Sequence, residues 1–231
     1  MSEQKQETVL ENGDALMKLT SFWNKNQKTI LVGLAFFAVG FGGAVAYKQL
    51  IEKPKEEKAA DALFKAQQYF ALDSSKLVLD GDGNAKGVLY VINNYSGTKA
   101  ANLAHYYAGI SYLKLGNFAK AVEHLKDFST DAKQIQMVAF GALGDALSEQ
   151  GKKEEAVDYY KKAGSIFEFD ENSASEYLFR AALLTETLGK KDDALTIFKS
   201  IKDKFPKTDK GILAEKYIYR LSIEPNEFSV K

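Results

Sequence analysis

The chain of 231 residues contains no cysteine, which excludes disulfides, thiolate nucleophiles and Cys-ligated metals. It has two histidines, His105 and His124, too few to build a His-based metal centre. His105 falls at a core position, where a structural role is expected. Three prolines in the whole chain leave most helix interiors uninterrupted. Net charge is missing too. Lys+Arg and Asp+Glu stand at 31 each, without the clustered basic patch that nucleic acid requires. No G-x-S-x-G, P-loop or dinucleotide fingerprint occurs. The segment Asp80-Gly81-Asp82-Gly83-Asn84 opens like a calcium loop. It then fails, with Ala85 where the sharp-turn glycine belongs and Val91 in place of the bidentate glutamate. A plain turn is expected there. The reading is non-enzymatic, with no catalytic residues, no cofactor, no metal and no small-molecule substrate.

What the chain does have is one long apolar run, although its mean hydropathy of -0.28 conceals it. Ile30 to Tyr47 reads ILVGLAFFAVGFGGAVAY without a charged side chain. At ~1.5 Å per residue it reaches about 27 Å, enough with its flanks to cross a bilayer core. The alternative is a signal peptide cleaved after Ala46, since Ala44-Val45-Ala46 has the form of a cleavage site. The long segment ahead of the run, and its continuation through Leu50 and Ile51 to Pro54, favour an uncleaved anchor. Residues 1–29 are then a cytoplasmic segment, 30–50 the transmembrane helix and 51–58 a linker. Phe22, Trp23 and Tyr47 fit interfacial belts. Basic residues flank both ends, so the positive-inside rule decides little. The favoured orientation puts the long C-terminal part outside. Ala38, Gly42 and Ala46 share one helix face at i, i+4, i+8. That face would admit a close helix partner, unless the glycines are only the ordinary content of a membrane helix.

The remainder repeats itself. His105–Phe128, Phe140–Ala163 and Leu178–Ile201 align. Each has a small residue (Gly109, Gly144, Ala182), a turn glycine (Gly116, Gly151, Gly189), an alanine (Ala121, Ala156, Ala194) and a bulky residue (Leu125, Tyr160, Phe198). The small residue lets two helices approach, the glycine ends the first helix in a left-handed conformation, and the alanine sits at the crossing. The bulky residue is expected to fill the groove between neighbouring units. This pattern resembles the tetratricopeptide repeat. Tyr112 supplies the usual aromatic and Pro206 the closing proline, while Leu147 and Thr185 replace the aromatic in the other units.

The fold class is therefore all-α: a single N-terminal transmembrane helix followed by a tetratricopeptide-type helix-pair solenoid. Residues 59–100 read as a degenerate first helix pair, built from a helix over 57–79 and another over 86–94. Residues 101–209 are three repeats, and 210–231 a capping helix and tail. First helices of such arrays line a concave face. Leu103, Tyr106, Ile110 and Leu113 of the first unit belong there, then Asp145, Ser148 and Glu149, then Phe179, Leu183 and Glu186. The face is apolar at its ends and acidic in the middle, with little cationic beyond Lys114. That disfavours capture of a peptide carboxylate and suits an apolar segment or a partner helix. The competing reading is that several of these side chains only pack against neighbouring helices.

Phe22-Trp23-Asn24-Lys25-Asn26-Gln27-Lys28 directly ahead of a Gly-rich span, a helix soon after it, and repeats to the end resemble the YfgM family of bacterial inner-membrane proteins. That resemblance implies a cytoplasmic N-terminus, a periplasmic repeat domain, and association with the SecYEG translocon and a PpiD-like membrane chaperone. The implied function is that of an ancillary translocon subunit helping secreted clients. The alternative is a scaffold subunit of another cell-envelope assembly or secretion complex.

Overall fold

The computed structural model describes residues 3–223, with side chains from Leu16 onward. It divides into two units, Met1–Pro54 and Lys55–Lys231. No strand occurs among the described residues, only an isolated bridge between Gly81 and Lys86.

The first unit is helix α1, Glu3–Tyr47, followed by a π-helical turn at Lys48–Glu52. Among the described residues nothing covers the apolar run. Phe36, Val39 and Phe41 are 76%, 75% and 64% exposed, more than a folded chain in water tolerates along one helix. One N-terminal helix is thus long and apolar enough to cross a membrane.

Residues 51–58, expected as a linker, are helical instead. The π turn is closed by the Lys53 N–H donating to the Lys48 carbonyl, and α2, Lys53–Ala71, begins at once. Pro54 explains the turn. It has no N–H to give and its ring crowds the carbonyl four residues back, so a wider turn ahead of it relieves both problems.

The second unit is a right-sized stack of helices: α2, α3 (Ser75–Asp80), α4 (Val88–Asn94), α5 (Lys99–Lys114), α6 (Phe118–Asp127), α7 (Lys133–Glu149), α8 (Lys153–Ile166), α9 (Glu171–Thr187), α10 (Lys191–Lys204) and α11 (Asp209–Ser222). The helix expected over 57–79 is broken in two. Asp73 adopts φ 56°, and the Ser74 N–H closes a six-residue ring onto the Tyr69 carbonyl at 2.9 Å. This is the left-handed helix end usually made by glycine, here made by an aspartate, one of the few other residues that tolerates it.

The three repeat turns use glycine as expected. Gly116, Gly151 and Gly189 have φ of 75°, 76° and 75°. In each the next residue closes the same ring: Asn117 to Tyr112, Lys152 to Leu147, Lys190 to Thr185. The longer spacing to the third glycine comes from an extra helical turn, since α8 has 14 residues and α6 has 10.

In the first two repeats the bulky residue packs inside its own helix pair, whereas Phe198 of the third also stacks on Tyr217 of α11 at 4.8 Å. Leu125 lies directly on Gly109, where a Cβ would stand 2.5 Å from its Cγ, and Tyr160 lies on Gly144, where a Cβ would stand 2.6 Å from its Cδ1. Small and bulky positions are two halves of one contact inside the first two of these helix pairs. Ala121, Ala156 and Ala194 are fully buried beside them.

Two apolar cores result, one running from α2 to one side of α9 through Ala181 and the other joining the opposite side of α9 to α10 and α11. The degenerate pair is fastened to the first repeat by Glu56. Its carboxylate accepts the Lys99 and Ala100 N–H groups at 2.8 and 2.9 Å, at the positive end of α5, which Thr98 also caps. In the 80–84 segment, Asp82 accepts the Asn84 and Ala85 N–H groups and the Tyr69 hydroxyl, which is the plain turn expected.

Candidate partner-binding face

Leu103, Tyr106, Ile110 and Leu113 lie along one side of α5 at helical spacing, half-buried and packed on the first core. Leu183, on α9, is half-buried against the second core. Phe179 departs from the expectation. It is 4% exposed, with its ring edge-on to Phe198 at 5.3 Å and to Tyr217 at 5.1 Å. The capping helix α11 covers it, because Tyr217 reaches over both phenylalanines. Phe179 is therefore a core residue and not part of an open groove.

One aromatic, Phe70, extends the α5 face beyond the expected set, while Phe128, 4% exposed, backs it from the core. Phe70 of α2 packs against Tyr107 at 4.8 Å and Tyr106 at 6.4 Å, and Phe128 meets Tyr106 at 5.2 Å. Burial, then neighbouring Tyr107 and Tyr177, push the Tyr106 hydroxyl above its ordinary pKa, so it stays a neutral donor. The Phe70 contact was hidden in the sequence because nothing there fixes how the degenerate pair docks.

The acidic middle is also not what composition suggested. Asp145 Oδ1 accepts from Arg180 Nη1 at 2.9 Å and from the Tyr160 hydroxyl at 2.7 Å. Arg180 Nε donates to Glu176 at 2.8 Å, and Lys210 reaches the other Glu176 oxygen at 3.1 Å. Further along, Arg220 holds both Glu186 oxygens at 2.7 and 2.6 Å. Cations from α9 and α11 thus neutralise Asp145, Glu176 and Glu186, while Glu149 of α7 stays exposed outside this network. Burial would raise the Glu176 carboxyl, but the hydrogen bonds from Arg180 and Lys210 outweigh it and hold the group below its ordinary pKa. Burial and the bond to Asp145 keep Tyr160 protonated far above neutrality. Lys114, the one cation the sequence placed on this face, is engaged by Asp73.

Between these elements Leu113, Phe118, Asp145, Ser148, Glu149, Tyr160 and Arg180 line an open pocket of about 420 Å³. A larger hollow of about 780 Å³ lies at the α2–α3 turn, beside Lys114 and Leu115. Neither gathers a nucleophile, a base and an oxyanion donor. Among the described residues no group of three His, Asp or Glu side chains is placed to hold a metal ion.

On α1, Ala38, Gly42 and Ala46 are exposed, and a Cβ built at Gly42 meets nothing within 4 Å.

Residues 103–132, 139–167 and 176–208 match models of the tetratricopeptide repeat. The array is a tetratricopeptide-type solenoid. A Podosopora anserina kinesin light chain structure with nearly identical TPR-like repeats superposes with a TM-score of 0.51 at 14% identity, covering 72% of this chain and 86% of that one. That likeness is one of fold. No curated protein sequence matches the chain. Repeats of this type are protein–protein interaction scaffolds, and the matches indicate no catalytic family.

Proposed function

We propose that this protein is a membrane-anchored adaptor whose repeat unit holds a partner protein through the α5 face, and that it serves as an ancillary subunit of the SecYEG translocon. The observation that carries the adaptor reading is the run of half-exposed Leu103, Tyr106, Ile110 and Leu113, extended by Phe70, on a rigid array joined in sequence to an uncovered apolar helix. Such a strip offers an apolar segment or an amphipathic helix several anchors at helical spacing. Most of the charges beyond it, Asp145, Glu176 and Glu186 with Arg180, Lys210 and Arg220, are satisfied internally, so they supply shape and exclude wrong partners more than they attract right ones.

The translocon assignment rests on the juxtamembrane segment and architecture that resemble the YfgM family. In this reading α1 spans the inner membrane with its N-terminus cytoplasmic, and Ala38, Gly42 and Ala46 approach a helix of the translocon or of a PpiD-like chaperone. The repeat unit then stands in the periplasm, beside secreted clients as they emerge. A photo-crosslinking side chain placed at Gly42 and, separately, at Ile110 of the full chain in cells tests both halves. Gly42 should capture translocon or membrane-chaperone subunits, and Ile110 a secreted chain or a partner's periplasmic part. Capture of one unrelated envelope complex from both positions would overturn the translocon assignment and leave the adaptor reading standing.

A further inference from the structure

The chain's two histidines, distant in sequence, meet in the fold. His105 on α5 and His124 on α6 face each other with their Nδ1 atoms 3.2 Å apart and ring centroids 5.3 Å apart. Tyr112 stacks on His124 at 5.4 Å, with the planes 5° from parallel. Both imidazoles are half-buried. The charged groups acting on them all come from α6. Asp127 has an oxygen 3.9 Å from His105 Nδ1, and Glu123 and Lys120 contribute from further away.

We propose that this pair is an acid-sensitive joint between the two helices of the first repeat, closed while the rings share a proton and opened when both carry one. The chemistry follows from the contact. With both rings neutral, or with one protonated, one Nδ1–H donates to the other Nδ1, and the helices are held. With both protonated, neither Nδ1 can accept, and two like charges face each other in a half-buried site. The carboxylates cannot offset this fully, because Asp127 is 62% exposed and one of the cations, Lys120, adds to the repulsion on His124.

The joint sits where it can reach the partner face. Gly109, one turn beyond His105, is the seat of Leu125, one residue beyond His124. Separating the rings unseats that contact and shifts α5, which carries Tyr106, Ile110 and Leu113.

The direction with pH is fixed. Burial, and for His124 the charge on His105, lowers both groups below their ordinary value of 6.5. The unfolded chain therefore takes up protons first as pH falls. The joint's contribution is complete above pH 6.5 and is lost progressively beneath it.

With two histidines in the chain, an NMR titration of histidine-labelled full-length protein in detergent reads the pair directly. Two steps are expected, separated by about one pH unit or more, with the second well below the ordinary value. Amide exchange, corrected for its intrinsic pH dependence, should rise about tenfold or more in α5 and α6 between about pH 7.5 and 5, with α8 to α10 unchanged. His124→Gln keeps a donor for His105 Nδ1 and cannot take a charge. It should hold that rise below about threefold. Two histidines titrating together at the ordinary value, or an exchange rise that is the same in His124→Gln or spread evenly over all repeats, would overturn the proposal. If His124→Gln fails to fold, the wild-type titration still decides.

Discussion

Gly144→Ala tests the contact that organises the α7–α8 helix pair. Two effects oppose each other. Replacing glycine in a helix interior gains about 1 kcal/mol of helix propensity. Against that, the new methyl would stand 2.6 Å from both Cδ1 and Cε1 of Tyr160. Tyr160 is 6% exposed and cannot swing away cheaply, because its hydroxyl is bound to Asp145, which is held in turn by Arg180. Overpacking of this kind costs about 1–3 kcal/mol. The net result should be a loss of about 1 kcal/mol, or roughly 2–4 °C in Tm for a unit of this size. The sign should reverse when the ring is removed. In a Tyr160→Ala background the overpacking falls away, and Gly144→Ala should then raise Tm by a similar amount. Thermal melts of the four proteins, followed by far-ultraviolet circular dichroism, form a double-mutant cycle with a coupling of about 1–3 kcal/mol. A stabilising Gly144→Ala in the wild-type background, or the same shift in both, would refute the claim that the small and bulky positions are two halves of one contact.

Gly151→Val should lower stability by roughly 1 kcal/mol or more, because its left-handed φ of 76° strains a β-branched residue; an unchanged urea midpoint would contradict the cap. Phe179→Ala should cost about 3–5 kcal/mol and melt the C-terminal helices first, since the ring is buried between Phe198 and Tyr217. Ile110→Glu, on the partly exposed strip, should instead leave Tm within about 1 kcal/mol equivalent while reducing partner co-purification. Arg180→Met should lower stability by no more than about 1 kcal/mol, because the Arg180 side chain is 42% exposed and solvent screens its pairs. A larger loss would mean the ion chain is a cooperative network.

The repeat pattern was legible because it rests on residues that do one thing each. A glycine at φ near 75° and an alanine with no room around it announce themselves at fixed spacing, and the helix boundaries of the three repeats follow. The breaks that went unread used less specific residues. Asp73 ends α2 in the geometry the glycines use elsewhere, and the Asp73-Ser74-Ser75 run was its faint signal. Pro54 looked like a linker because a proline reads as a breaker, whereas a π turn absorbs it. The four α5 residues share one half-buried side, as their helical spacing predicts, whereas Phe179 is buried. Its exposure depends on where Tyr217 of α11 lands, and side-chain reach across a 38-residue separation leaves no local trace in a sequence. The neutralising arginines were missed for the same reason: Arg180 meets Asp145, and Arg220 meets Glu186, only after three consecutive helices have stacked.

That internal pairing constrains what can bind. A partner carboxylate would have to take Arg180 from Asp145 and Glu176 together, or Arg220 from a two-oxygen grip on Glu186, and each exchange returns no new charge pair in total. A partner cation would meet Asp145 with one oxygen already accepting twice. Desolvating such a satisfied network gains little in either case. The α5 strip is different. Covering Tyr106, Ile110 and Leu113 removes apolar surface from water at roughly 25 cal/mol per Å² and breaks no existing hydrogen bond. In the proposed binding mode, affinity on this face would therefore come from apolar side chains seated along α5, with the paired charges beyond it limiting how far that contact extends.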